Sequence, residues 1–400
     1  MRRIPLLLAT VLILLGLARP ARAQAALQVS DVHVDYAFGQ EVVISARLNP
    51  PGAVQSVSLW LQVEGESQAR SFPLAPAADG SVRYELPLQS GALRPFANVT
   101  FWFECGLVSG GAADSPQYFF TYTDNRPAWQ TAGDAGLRVH WYDGDAAFGQ
   151  TALQAARTGL ESIRSLIPIE AGKPIDVYVY ASAQDVQEAL GLTGLTWVSG
   201  HASPDLGVVL VSVAPGSDQS AELQDQIPHE LAHVLLYRMT GAAYNGLPTW
   251  LREGLASLAG QAPGAQQLTM LKTAGRNKAL LPMADLCGLF PQDASGAGLA
   301  YAESASFTRW LHSVYGTTGL QELIRAYAEG KDCSGGVELA YGLPLSQLDL
   351  RWQQQVLGKD EAGIALENML PYLAILIAIL MVPAWYIFTT LRSRREKHGR

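Results

Sequence analysis

The sequence predicts a multi-domain chain: an N-terminal all-β, immunoglobulin-like sandwich, then an α+β domain, then one transmembrane helix. Three observations predict it. From Leu27 to about Thr123, short runs rich in Val, Phe, Trp and Tyr alternate with Gly/Pro turns. From Leu137 onward, strands mix with stretches of helical periodicity. From Met369 to Leu391 the chain carries no charge, and a basic tail follows at once. Four hundred residues leave room for two or three domains, and 48% hydrophobic against 16% charged residues gives them sizeable cores.

The first element is residues 1–23. Arg2 and Arg3 form a basic start, Ile4 to Leu17 an apolar run, and Ala21-Arg22-Ala23 an A-x-A cleavage site. That is the layout of a secretory signal peptide, and the apolar run is too short for a stable span.

Residues 24–126 form the expected β-sandwich. Its strands are read at "EVVISARL", "VQSVSLWLQVEG", "SVRYELPL" and "NVTFWFECGL", separated by "NPPG", "PAADG" and "QSGALRP". No Cys…Trp…Cys signature fixes the topology, and no catalytic cluster is visible, which points to a spacer or binding module. "TDNRPAWQTAGDAG", Thr123 to Gly136, reads as the joint.

Residues 137–357 form the α+β domain. "LRVHWY" and "PIDVYVYA" read as strands, with a helix from Ala146 to Ile167 between them and Pro168 closing it. "VSGHASPDLGVVLVSVAP" reads as a hairpin-like pair. From Ala221 to Leu357 the chain is mostly helical, with breaks at Gly241–Gly246, Ala262–Gly264 and Pro291–Gly298. Of three cysteines, Cys287 and Cys333 share this domain and are the preferred pair; the three lack zinc-ribbon spacing.

Within the helical part stands "QIPHELAHVLLYRM". His229 and His233 are four apart, on one helix face, and both can reach one metal ion. Glu230 points in a neighbouring direction and can meet a metal-bound water without filling a metal position. Asp225 is the expected N-cap, which puts Pro228 in the first turn, where its missing N–H costs little. Twenty residues on, "GLPTWLREGLASLAG" carries Glu253 on a second helix started by Pro248. Glu253 is the expected third ligand, leaving a fourth position open, and Gly254 and Ala256 are expected to let the two helices approach.

"HELAH" followed by "PTWLREGLA" resembles the gluzincin metallopeptidases and is similar to the bacterial peptidase MA-like families. The resemblance implies a zincin-like fold for this domain, Zn2+ on His229, His233 and Glu253, and peptide-bond hydrolysis by a zinc-bound water with Glu230 as general base. It implies an endopeptidase rather than an aminopeptidase, since no G-x-M-E-N stretch is present. Some relatives carry an acid four residues after the glutamate ligand, buttressing a zinc histidine; here Ser257 stands there. In some clan members a tyrosine donates to the oxyanion. Tyr301, in a helix read from Gly298 to Gly316, is the candidate, with His201 a second possibility. His140 and His312 are given no role. An edge strand before the metal helix pairs with substrate in this clan; "LGVVLVSV" is either that strand or simply a buried one.

The last elements are a transmembrane helix, 369–391, and a cytoplasmic tail, 392–400. At ~1.5 Å per residue the helix reaches roughly 34 Å. Trp385 and Tyr386 suit the interface, and Arg392, Arg394, Arg395, Lys397 and Arg400 keep the tail inside. The expected protein is a single-pass type I protein of the cytoplasmic membrane with an extracytoplasmic catalytic domain acting on peptides or proteins. The chain's charge is −8. Without residues 1–23 (four arginines, no acid) it is −12, and without 392–400 (five bases, one acid) it is −16, which excludes nucleic acid as a partner. The competing expectation is a catalytically inactive zincin-like ectodomain serving as a binding or sensing module.

Overall fold

The computed structural model describes residues 28–88, 92–167, 172–191, 200–260 and 265–358, with scattered positions between 369 and 385. The expected signal peptide, Pro168, the cytoplasmic tail and most of the expected transmembrane helix lie outside the described residues. The described positions between 369 and 385 are helical. Among the described residues no helix is long and apolar enough to cross a membrane.

The chain divides into two compact units, Met1–Trp129 with Gln187–Leu195, and Gln130–Val186 with Thr196–Arg400, so the helix Ala183–Leu190 crosses the division. The first is built mainly of strands. Its strands are β1 (Gln28–Ala37), β2 (Glu41–Asn49), β3 (Val54–Val63), β4 (Arg70–Leu74), β5 (Ser81–Pro87), β6 (Asn98–Leu107), β7 (Ala112–Asp114) and β8 (Tyr118–Thr121). They form two antiparallel sheets, β1-β2-β5 and β4-β3-β6-β7, with β8 also paired to β6. Period-two side-chain alternation builds the core. Val57, Leu59, Leu61 and Val63 of β3 are buried beside Val99, Phe101, Phe103 and Cys105 of β6. Rings reach from sheet to sheet, Tyr36 to Phe120 at 5.9 Å and Phe72 to Tyr84 at 4.6 Å. The strands that no quoted sequence run marks are β1, β4, β7 and β8. All four lie at sheet edges and none has a fully buried residue, so they lack the strongly apolar face that marks a strand in sequence.

The second unit opens with β9 (Gln130–Gly133) and β10 (Leu137–Trp141), then α1 (Ala146–Leu166), β11 (Ile175–Tyr180), α2 (Ala183–Leu190), β12 (Gly200–Ser203) and β13 (Val208–Ser212). Helices follow: α3 (Gln219–Thr240), α4 (Thr249–Ala259), α5 (Ala265–Arg276), α6 (Ala294–Ala328), α7 (Cys333–Tyr341) and α8 (Leu345–Val356). The sheet order is β12-β13-β11-β10-β9. The three central strands run parallel, and β9 and β12 are antiparallel edges. Parallel β10 and β11 require a crossover, which α1 supplies. Asp145 caps α1, its carboxylate accepting from the Phe148 N–H at 2.9 Å. One core joins Val139, Trp141, Val177, Val179, Val209 and Val211 of the sheet to Leu160 and Ile163 of α1 and Leu231 and Leu235 of α3.

One open pair of readings is decided and two expectations are corrected. "LGVVLVSV" is not an edge: β13 is paired on both sides and Val208 to Val211 are all buried, so the edge is β12. The metal helix does not start at Asp225. α3 begins at Gln219, and Pro228 lies inside it. An interior proline costs roughly 3 kcal/mol. Burial of Leu223 and Ile227 upstream offsets it, and Gly159 of α1 makes room for the ring, since a Cβ there would lie 2.9 Å from Pro228 Cβ and Cγ. Finally, the helix read from Gly298 to Gly316 starts earlier, at Ala294 with Asp293 as N-cap, and resumes beyond a break at Gly316, whose φ is +68°.

Candidate metal centre

The i, i+4 spacing places the His229 and His233 rings side by side on α3, centroids 5.1 Å apart. A 3-10 turn over Gly241–Gly246 reverses the chain, and Pro248 sits at the N-cap of α4. That turn brings Glu253 back to the histidines. Its Oε2 lies 3.3 Å from His229 Nε2 and 3.6 Å from His233 Nε2. The three donor atoms fall within 4.8 Å of one another. Donors at ~2.0–2.1 Å from a tetrahedral ion are separated by roughly 3.3–3.4 Å; the His229 distance matches a shared cation and the His233 distance is slightly longer. Two imidazoles and one carboxylate are also the donor set zinc takes in open, three-ligand sites.

The electrostatics agree. Burial works against ionisation of Glu253, but His233 and His229 outweigh it and hold its carboxyl well below the usual range. Burial works to lower His229, yet Glu253, Glu230 and Asp225 outweigh it and hold it above an ordinary histidine. Glu230 behaves oppositely to Glu253. Burial dominates and pushes its carboxyl up, with only partial relief from His229 and His233. One carboxylate is thus fixed as an anion among the histidines, and the other is poised to hold a proton.

Glu230 rests on β12. A Cβ at Gly200 would lie 2.6 Å from Glu230 Oε1 and 3.2 Å from its Cγ and Cδ, so only glycine leaves the carboxylate its place. His201 is the next residue on that edge strand, opposite Leu210. Tyr301, on α6, is half-buried with Phe290 edge-on at 5.1 Å. Burial, then the charges of Glu253 and Glu230, raise its phenol, so the hydroxyl stays protonated within reach of both carboxylates' fields.

Ser257 takes no part in orienting a histidine, and Gly254 departs from expectation. The Ser257 hydroxyl donates to the Glu253 carbonyl of its own helix at 2.8 Å. Gly254 does not serve the α3–α4 approach. Its open side faces α6, where a Cβ would collide with Thr308 Oγ1 and lie 2.7 Å from the Ser304 carbonyl. The group on His233 Nδ1 is Tyr244 Oη, at 3.0 Å. Cys287 and Cys333 are joined as a disulfide, and Cys105 is free and buried, its thiol pushed up to about 11 by burial.

Two histidines one helical turn apart, a glutamate from the following helix and a second, half-buried glutamate beside them are arranged as in a zincin-type metallopeptidase site. Residues 155–358 match the family described as the Peptidase MA superfamily, and the chain belongs to that superfamily. No curated protein matches the chain. Solved structures match it only in part. One is described as a myokine (13% identity, 25% of this chain and 99% of that one, TM-score 0.21). Another is a β-1,3-glucan-binding domain of carbohydrate-binding module family 56 (12% identity, 23% and 98%, TM-score 0.18). A third is a purple acid phosphatase from yellow lupin (Lupinus luteus) seeds (9% identity, 51% and 40%, TM-score 0.21). At these scores the likenesses carry no argument about this chain.

Proposed function

We propose that this Peptidase MA protein is a zinc-dependent endopeptidase anchored in a membrane, with its catalytic unit outside the cytoplasm. The observation that carries the catalytic part is the convergence of His229 and His233 Nε2 on one oxygen of Glu253, beside the half-buried Glu230.

His229, His233 and Glu253 would hold the zinc. When bound, it supplies Lewis-acid polarisation of water and of the scissile carbonyl. Glu230, raised by burial and held against Gly200, takes a proton from the attacking water and hands it to the leaving nitrogen. Tyr301 keeps its hydroxyl proton and donates it as a hydrogen bond to the developing oxyanion. β12, paired on one side only among the described strands, offers its outer backbone to an extended peptide, which runs past Glu230 because Gly200 is on that strand.

The location rests on sequence: a signal peptide over 1–23, a span over 369–391 and a basic tail read together as type I topology. The two facing antiparallel sheets of the first unit support the reading of an immunoglobulin-like module carried beside the peptidase.

The test uses the full chain. Wild type should hold one zinc and cleave members of a peptide library internally. Glu230→Gln should keep the zinc and lose turnover by at least ~100-fold. Metal-free wild type that does not regain zinc, or equal turnover in the two proteins, would sink the proposal.

A further inference from the structure

We propose that Tyr244 is the positioning residue for His233, setting the ring's orientation and tautomer for metal binding in place of the acid that resembling families carry one turn beyond the glutamate ligand. This rests on the metal reading above.

For His233 to offer its Nε2 lone pair to a cation, the ring proton must sit on Nδ1, and Nδ1–H needs an acceptor. The atom at Nδ1 is Tyr244 Oη, 3.0 Å away. Ser257 is committed elsewhere, to the Glu253 carbonyl. The Tyr244 hydroxyl accepts that Nδ1–H and, unlike a carboxylate, adds no negative charge beside the ligands.

The phenol is itself fixed. Tyr244 is buried. It stands edge-on to His233 (6.4 Å, 89°) and to Tyr237 (5.9 Å, 66°). The Arg252 guanidinium lies 5.3 Å from its ring centroid, and Arg252 in turn donates to Thr249 Oγ1 at 3.1 Å. The residue comes from the 3-10 turn between α3 and α4, so one side chain ties the helix of the histidines to the helix of Glu253.

The experiment measures zinc affinity of the full chain against a chromophoric chelator, for wild type, Tyr244→Phe and Tyr237→Phe, with melting of each metal-free protein. Tyr244→Phe should weaken zinc about 10- to 100-fold. Tyr237→Phe removes a hydroxyl from the same aromatic cluster and should leave zinc affinity unchanged. A lowered metal-free melting temperature with unchanged zinc affinity in Tyr244→Phe would make the residue structural and overturn the proposal. Nitrogen-15 NMR of zinc-loaded wild type decides the matter even if Tyr244→Phe does not fold: a His233 Nδ1 proton protected from exchange with water by its bond to the buried phenol is expected, and a rapidly exchanging one refutes the role. Wild type that binds no zinc defeats the metal reading itself, and this inference with it. Wild type that binds while Tyr244→Phe binds equally well defeats this inference alone.

Discussion

Replacing Glu303 by glutamine should make the peptidase unit more stable at alkaline pH and leave it nearly unchanged in acid. Glu303 lies on α6 and is fully buried. Its Oε1 accepts the Leu281 N–H at 3.0 Å, and its Oε2 has no hydrogen-bond partner among the described residues. Asp349, also buried, stands nearby on α8 and accepts from the Met283 N–H at 3.2 Å and from Gln353 at 2.9 Å. Burial, and then Asp349, push the Glu303 carboxyl from 4.5 up to about 8. In the folded state this acid therefore keeps a proton that the unfolded chain has already released. Stability must fall as pH climbs from the unfolded value toward 8, and the loss is complete above it. At ~1.4 kcal/mol per pH unit, the full penalty is on the order of 5 kcal/mol. Glutamine reproduces the neutral acid's shape and still accepts from Leu281. Urea unfolding of wild type and Glu303→Gln between about pH 5 and pH 9 should give curves that diverge steadily, the variant gaining several kcal/mol at the upper end. Parallel curves, or a variant less stable than wild type at pH 9, would refute the reasoning.

Two further outcomes follow from geometry. Gly200→Ala should displace the Glu230 carboxylate, which a Cβ would approach to 2.6 Å, and lower kcat/KM by about 100-fold with zinc content unchanged; undiminished turnover would show that the contact does not position the base. Removing the disulfide by Cys287→Ala with Cys333→Ala opens a link 46 residues apart in sequence. Chain-entropy cost scales that to about 4 kcal/mol of lost stability, checked by urea unfolding of oxidised wild type against the double variant.

The His229, His233 and Glu253 cluster was legible because its signal is local. Four-residue spacing on a helix needs no tertiary knowledge, and the second motif supplies Glu253 together with the breaker residues that turn the chain back. What was illegible depends on chain segments meeting by packing. Tyr244 sits in "GAAYNG", where nothing but the observed 3-10 turn aims its hydroxyl at His233. Gly200 reads as a hairpin glycine, and its contact with Glu230 joins positions thirty apart with no shared pattern. The strand "LGVVLVSV" did carry its own answer. A continuous apolar run fits a strand buried on both faces, and β13 is one, whereas "GHAS" is the polar edge beside it. Pro228 shows a positional rule being outweighed: a proline favours the first turn, but apolar residues upstream gain more from a longer helix.

The three donors and Tyr244 all fall within the 25 residues from His229 to Glu253. Bringing together the ends of so short a loop forfeits little chain freedom, and helices on both flanks stiffen it further. The parts that act on a peptide come from farther away: Gly200 before this interval, Tyr301 well after it. On the proposed reading, holding the ion and cleaving the bond therefore draw on different lengths of polypeptide, with α6 serving both: it carries Tyr301 and packs against Gly254, next to Glu253.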